Sequence, residues 1–228
     1  MAGIIALVGG DEFRRYCGDM DREIIAATGK ESPRMVVLPT ATANSGPVKA
    51  AHDGVTHFNA LGGSAHPLMI LDREQADSQE MVDRLSGADI IYFTGGNPNY
   101  LLETLRGSIL LTSVTDAVSR GAILAGSSAG AMVMGSQMRR PRGEEWVTGL
   151  GIAEGICVFP HHERSKPEEV ADQLEDRLAG GLTILGIDGQ TACLGGPGGW
   201  RVAGYGKVTT YRRDGWRVYQ PGETIESA

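Results

Sequence analysis

A chain of 228 residues, 41% hydrophobic and 21% charged, is long enough to bury a full core and reads as one domain over 1–228. Its formal net charge of -7 repels phosphate backbones, which argues against nucleic acid as a partner. No apolar run approaches the ~20 residues that span a bilayer, the opening lacks the basic start of a signal peptide, and three cysteines cannot all pair; these features exclude a membrane-spanning reading and lead us to expect a cytoplasmic protein with reduced thiols.

Short apolar runs at 4–8, 35–38, 67–71, 90–93 and 123–125 read as strands. Strands covered on both faces are continuously apolar rather than alternating. Helical spacing occupies 20–27, 48–61, 80–85 and 101–117 between them. This alternation predicts an α/β fold, a mostly parallel sheet flanked by helices. The last third differs. A helix over 167–178 is followed by short runs at 182–187, 191–194, 200–202, 208–211 and 216–219, with glycine-rich turns between them. Asp214-Gly215 is a hairpin-turn signal, so a C-terminal antiparallel extension is expected.

The run at 123–125 leads directly into Gly126-Ser127-Ser128-Ala129-Gly130, and an apolar helical pattern follows. A Gly-x-Ser-x-Gly sequence between strand and helix is the setting of a nucleophile elbow. The sharp turn lifts the central hydroxyl above the strand ends, and the helix start beneath it favours developing negative charge. Ser128 holds the central position and is the candidate nucleophile; Ser127 is expected to shape the pocket.

A serine needs a base. Of five histidines, His161 and His162 follow the strand-like run 156–159, where catalytic groups gather in α/β folds. His52 and His57 sit in a helical stretch and read as surface or interhelix residues. No histidine follows His162, which disfavours an α/β-hydrolase, whose histidine comes late. A second strand ends in Thr94-Gly95-Gly96-Asn97-Pro98, with Asn97 as the expected N-cap and Pro98 at the first helical position. Its glycines let backbone approach a ligand closely. No cysteine or histidine spacing suggests a metal site, and no cofactor is expected.

Thr94-Gly95-Gly96-Asn97 with Leu101, Gly126-Ser127-Ser128-Ala129-Gly130-Ala131 and Pro160-His161 together resemble the aspartyl dipeptidase (dipeptidase E) and cyanophycinase family of serine peptidases. Val8-Gly9-Gly10-Asp11-Glu12, Val37-Leu38-Pro39-Thr40-Ala41, Gly149-Leu150-Gly151 and Gly186-Ile187-Asp188 with Thr191-Ala192 extend the resemblance in order along most of the chain. It implies a class I glutamine-amidotransferase-like, flavodoxin-like fold with serine at the elbow. It further implies Ser128 as nucleophile, His161 as base, and the amides of Gly96 and Ala129 as oxyanion donors. The acid is expected between nucleophile and histidine, where Glu145 fits best, with Glu144 beside it and Asp188 as a further candidate. Three positions depart from the family pattern: Gly189 stands where Glu is common, His162 where an aromatic residue is common, and Ser127 where a bulkier residue is common before the nucleophile.

The expected reaction is acyl transfer to Ser128 and hydrolysis of a small peptide, aspartyl or β-aspartyl in kind. Asn97, Ser127 and Arg164 are expected to touch the substrate, with Arg139 and Arg140 as further carboxylate partners. The expected partner is that peptide, with a homodimer allowed for. Two alternatives stand beside this reading: a non-catalytic relative that binds a metabolite, favoured by Gly189, and an esterase or amidase acting on non-peptide acyl groups.

Overall fold

A computed structural model describes residues 3–141, 145–196 and 198–226. In chain order its elements are β1 (Ile5–Val8), α1 (Gly18–Ala26), β2 (Arg34–Leu38), α2 (Pro47–Ala60), β3 (Ser64–Pro67), α3 (Arg73–Ala76), α4 (Gln79–Asp83), β4 (Ile90–Phe93), α5 (Pro98–Leu105), α6 (Ile109–Ser119), β5 (Ile123–Ser127) and α7 (Ala129–Met134). They continue with β6 (Gln137–Arg139), β7 (Trp146–Thr148), β8 (Ile156–Phe159), α8 (Pro167–Leu178), β9 (Thr183–Ile187), β10 (Thr191–Gly196), β11 (Gly199–Gly204), β12 (Val208–Arg212), β13 (Gly215–Tyr219) and β14 (Thr224–Ile225).

The main sheet runs β14-β11-β10-β1-β5-β4-β2-β3. Its β1, β5, β4, β2 and β3 are parallel, and β10, β11 and β14 add to the β1 edge in antiparallel fashion. Pleating sends successive side chains to opposite faces. Leu7, Leu38, Phe93 and Leu124 join one core cluster with Leu101, Leu105 and Val114 of α5 and α6. Val8, Val37, Tyr92 and Ala125 join another with Ile24 of α1 and Phe58 of α2. Both faces are covered, so every strand position gains from being apolar; each fully buried Leu, Ile or Phe contributes roughly 1.5–3 kcal/mol. This is why the strand runs carry no polar alternation. His57 of α2 bonds the buried Asp21 of α1 at 2.7 Å, an interhelix role, and burial pushes the Asp21 carboxyl above its ordinary range.

The structure corrects the expected elements in three places. The strand expected at 67–71 lies earlier, at Ser64–Pro67, as the sheet edge beside β2. Leu68 N still donates to Val37 O at 2.9 Å, after which the chain leaves the ladder and side chains take up much of its bonding: the Thr40 hydroxyl donates to Ile70 O, Tyr100 Oη donates to Leu71 O, and Leu71 N donates to Gln75. Leu68 and Ile70 are buried by this loop, which gave the run its apolar character. The helix expected over 101–117 is two helices. Gly107 takes a φ of +68°, and Ser108 starts α6 by accepting the Leu111 N–H at 3.0 Å. The antiparallel extension is present but divides between two sheets, since β12 and β13 leave to form a second one, β13-β12-β9-β8. There β8 and β9 are parallel, and α8 packs Leu174 and Leu178 against Cys157, Ile184 and Tyr211.

The topology places the carboxyl ends of β1, β5 and β4 side by side. The end of β8 is joined to them by His161 N, which donates to Gly9 O at 3.0 Å. Among the described residues, no helix is long and apolar enough to cross a membrane.

Candidate active site

The elbow is built by close packing. A Cβ at Gly130 would lie 2.5 Å from Phe93 O, and one at Gly126 would lie 2.6 Å from Gly130 C. Only glycine at both positions lets α7 sit against the ends of β4 and β5. Ser128 between them takes φ 47° and ψ −105°, a sparsely populated region for a residue with a side chain. Its amide donates to Val8 O at 2.9 Å, and its carbonyl accepts the Met132 N–H at 2.9 Å. The turn is thereby pinned at both ends, and the hydroxyl projects over the strand ends.

His161 meets it there. Ser128 Oγ lies 3.2 Å from His161 Nε2, so the hydroxyl donates to the ring when the imidazole carries its proton on Nδ1. His161 has a left-handed backbone, φ 53° and ψ 47°, which turns its ring back from the end of β8 toward the elbow. Gly10 supplies the opposite wall. Its φ is +140°, and a Cβ there would fall 2.1 Å from the His161 Cε1.

The loop after β4 has a simple amide account. Gly95 N donates to Glu12 Oε1 at 2.7 Å, and Asn97 N donates to Ala41 O at 2.8 Å. The Gly96 amide between them has no hydrogen-bond partner among the described residues, and Gly96 lines the cavity beside Ser128. A side chain at Gly96 is excluded by a φ of +139° and by Ala41 O, 2.4 Å from where its Cβ would be. Ala129 opens α7, so its amide is one of the first-turn donors that no helical carbonyl takes. Gly96 and Ser128 line a cavity of about 620 Å³, and Ala129 follows Ser128 directly at the start of α7. Pro98, Met132, Val158, Phe159 and Pro160 make the cavity mostly apolar, and Arg139 and Arg140 are its charged side chains. No carboxylate lines it among the described residues. The Arg139 guanidinium lies 5.9 Å from the Phe159 ring centroid.

The other expected site residues are placed differently. Glu145 is exposed and turned to Arg140: the carboxylate lies 3.4 Å from Arg140 Nε, and Glu145 O accepts the Arg140 N–H. This pairing across the β6–β7 ribbon holds Glu145 away from His161, to which no carboxylate is hydrogen-bonded among the described residues. Glu144 lies outside the described residues. Asp188 is buried, but its carboxylate accepts the Lys207 N–H at 3.1 Å rather than meeting His161, and burial pushes its pKa up. Ser127 does not face the cavity: it is fully buried and its hydroxyl donates to Glu12. As the last residue of β5 it points to the opposite side from the elbow hydroxyl. Asn97 is the expected cap, its side-chain oxygen accepting the Asn99 and Tyr100 amides, and it does not line the cavity. Arg164 is exposed and outside the cavity, because the short helical turn after His161 carries it outward. Of the three arginines expected near the site, Arg139 and Arg140 line the cavity.

Two carboxylates escaped the sequence reading. Glu12 sat inside a quoted motif without a role. Glu163, two residues beyond His161, accepts the Gly189 N–H at 3.0 Å. Burial raises the Glu163 carboxyl, but that amide and the neighbouring His161 and Arg164 charges more than offset this and hold it below its ordinary value. A carboxylate thus stands at Gly189 although the chain has no side chain there. The three cysteines are buried free thiols; burial pushes Cys17 and Cys157 up to about 12 and Cys193 higher still, so none suits nucleophilic work.

His162 behaves as the aromatic residue that it replaces. It is buried with its ring against Tyr211, and Nε2 lies 2.7 Å from Tyr211 Oη. Burial first, then the charge of Lys207, lowers its pKa from 6.5 to about 4, against an opposing pull from Glu163. The unfolded chain therefore binds this proton more readily, and the stability due to neutral His162 is lost as pH falls from about 6.5 to about 4. His162→Phe is expected to remove that loss. The stability advantage of wild type over the variant should shrink by at most about 3 kcal/mol across this window, as read by urea unfolding at each pH. An unchanged difference would show that His162 does not titrate in this way.

Residues 4–195 match the family described as Peptidase family S51. Cyanophycinase from Nostoc sp. is 25% identical over 221 residues, covering 90% of this chain and 72% of that protein. Cyanophycinase from Synechococcus elongatus is 33% identical over 157 residues, covering 62% of this chain and 47% of that one. The crystal structure of a peptidase from an acI-B1 Actinobacterium superposes with a TM-score of 0.85 at 29% identity, over 99% of this chain and 97% of the other. A putative peptidase E protein from Listeria monocytogenes shares the fold, with a TM-score of 0.60 at 16% identity over 92% of this chain and 98% of the other. The chain belongs to peptidase family S51 and is a hydrolytic peptidase of that family.

Proposed function

We propose that the protein is a serine peptidase that cleaves small peptides through an acyl-enzyme on Ser128. The observation that carries this reading is the 3.2 Å approach of Ser128 Oγ to His161 Nε2, at a strained elbow open to a cavity of about 620 Å³. A pocket of that size suits a dipeptide or a short peptide end. In the first step Ser128 Oγ attacks the scissile carbonyl carbon while His161 Nε2 takes the hydroxyl proton. The carbonyl oxygen becomes an oxyanion that receives the amides of Gly96 and Ala129. Removing one such donor from an acyl-transfer site costs roughly 3–4 kcal/mol of transition-state stabilisation. The C–N bond then breaks, and His161 returns its proton to the leaving amine. Water attacks the ester in the second half, with His161 again as base, and free Ser128 is regenerated.

The substrate carries a carboxylate in this reading, of the aspartyl or β-aspartyl kind. Support comes from the cavity walls, where Arg139 and Arg140 are the charged groups among apolar side chains. A guanidinium in such a setting binds a carboxylate through paired hydrogen bonds. The test has two arms. A fluorophosphonate probe should label wild-type protein at Ser128, located by peptide mapping. A dipeptide panel with acidic, neutral and basic residues at each position, together with simple esters, should show acidic peptides cleaved at least tenfold faster. Labelling elsewhere removes the nucleophile assignment. Equal rates across the peptides remove the acidic preference, and cleavage of esters alone replaces the peptidase reading with an esterase.

A further inference from the structure

We infer that Glu12 is a positioning residue for catalysis, a carboxylate clamp that fixes the amide of Gly96 relative to Ser128. This inference rests on the serine peptidase reading above. Glu12 lies in the loop after β1, half-buried, and does not line the cavity. Its two oxygens go to two different loops. Oε1 accepts the Gly95 N–H at 2.7 Å, and Oε2 accepts the Ser127 hydroxyl. Hydrogen bonds to an ionised acceptor are stronger than neutral ones, so both attachments are firm.

Each attachment bears on one reacting partner. Gly95 immediately precedes the Gly96 donor, and Ser127 immediately precedes the nucleophile. The Gly95 amide is held by Glu12, and the Asn97 amide is held by Ala41 O. Peptide units are rigid planes, so fixing the amides on both sides sets the direction of the Gly96 N–H between them. The loop would otherwise be free to turn, because two consecutive glycines have little conformational preference of their own. The second oxygen ties the same carboxylate to the end of β5. One side chain thereby sets the distance from the oxyanion donor to the attacking hydroxyl. Donor geometry counts only when it is ready before reaction, and a misplacement near 1 Å costs on the order of a hundredfold in rate.

The experiment uses the full chain and the variants Glu12→Ala, Glu12→Gln, Ser127→Ala and the double variant Glu12→Ala with Ser127→Ala. Measured quantities are kcat and KM on the best dipeptide of the panel, the rate of fluorophosphonate labelling, and Tm. Glu12→Ala is expected to lower kcat and the labelling rate roughly 10- to 100-fold with KM within twofold. Glu12→Gln keeps an oxygen for the Gly95 N–H and should recover several-fold over alanine. Ser127→Ala should cost less, and should add little to Glu12→Ala, because the shared bond is then already gone. If Glu12→Ala does not fold, the Gln and Ser127 variants decide between the same outcomes. Labelling of Glu12→Ala at the wild-type rate overturns the clamp. So does a Gln variant as slow as alanine, which would assign the effect to charge rather than to the two bonds. Independent, multiplying effects of Glu12→Ala and Ser127→Ala also overturn it. Wild-type protein that takes no label at Ser128 removes the serine peptidase reading and this inference with it, whereas a labelled wild type with unaffected variants removes the clamp alone.

Discussion

Replacing Ser128 by glycine is expected to abolish peptide hydrolysis while raising the stability of the fold. The two effects have separate causes. Loss of the hydroxyl removes the attacking atom, and removal of one member of such a catalytic set typically costs at least ~10⁴-fold in kcat/KM. The stability effect comes from the backbone. A side chain at φ 47° and ψ −105° costs about 1–3 kcal/mol, which glycine does not incur. Glycine's greater freedom in the unfolded chain offsets about 0.4–1 kcal/mol of that. A net gain near 1 kcal/mol raises Tm by roughly 2–4 °C for a chain of this size. Ser128→Ala is the control, because it removes the hydroxyl but keeps a Cβ in the strained region. It should be equally inactive, with Tm close to wild type. An active alanine variant would end the assignment of Ser128. A glycine variant no more stable than the alanine variant would show that the elbow stores no strain.

Gly10→Ala should be nearly as damaging, although it touches no reacting group. A Cβ at this position would lie 2.1, 2.6 and 2.7 Å from His161 Cε1, Nε2 and Nδ1. All three are closer than real contacts allow, and the obstacle is the His161 ring itself. The backbone has little room to yield, since Gly10 O accepts the Gln190 N–H and the neighbouring Gly9 N donates to Thr191 O. The imidazole must swing away from Ser128. We expect kcat/KM to fall by ~10²–10³, with fluorophosphonate labelling slowed in parallel, because the base no longer meets its proton. The φ of +140° adds about 1–3 kcal/mol of destabilisation, seen as a lower Tm. A variant that labels at more than half the wild-type rate would mean that the ring is held by something other than the Gly10 wall.

These residues mark how the sequence and the fold divide the information. Ser128 was legible because its signal is local: strand, glycine, serine, glycine and helix lie within a dozen residues. Asn97 was legible as a cap for the same reason, since its side chain reaches only its own helix. His161 was legible from its place after a strand. The role of Gly10 was not, because its ring partner lies far along the chain. Proximity in sequence separated cavity-lining residues from their neighbours less well. Ser127 adjoins Ser128 yet points into the protein, as the pleat of a strand requires of neighbours. Of the three arginines expected near the site, Arg139 and Arg140 line the cavity and the exposed Arg164 does not.

The sequence by itself determined the alternation of strands and helices, the parallel sheet and the serine elbow. Each follows from short-range sterics and from burial on both sheet faces, and both leave a mark in adjacent residues. Tertiary structure alone decided which carboxylate serves which group. Glu12 meets Gly95 across 83 residues of chain and Ser127 across 115, and His162 meets Tyr211 across 49. It also sent Glu145 to Arg140 and split the C-terminal strands between two sheets. A hydrogen bond depends on distances of about 3 Å in space, and no pattern of neighbours along the chain encodes such a distance between residues so far apart.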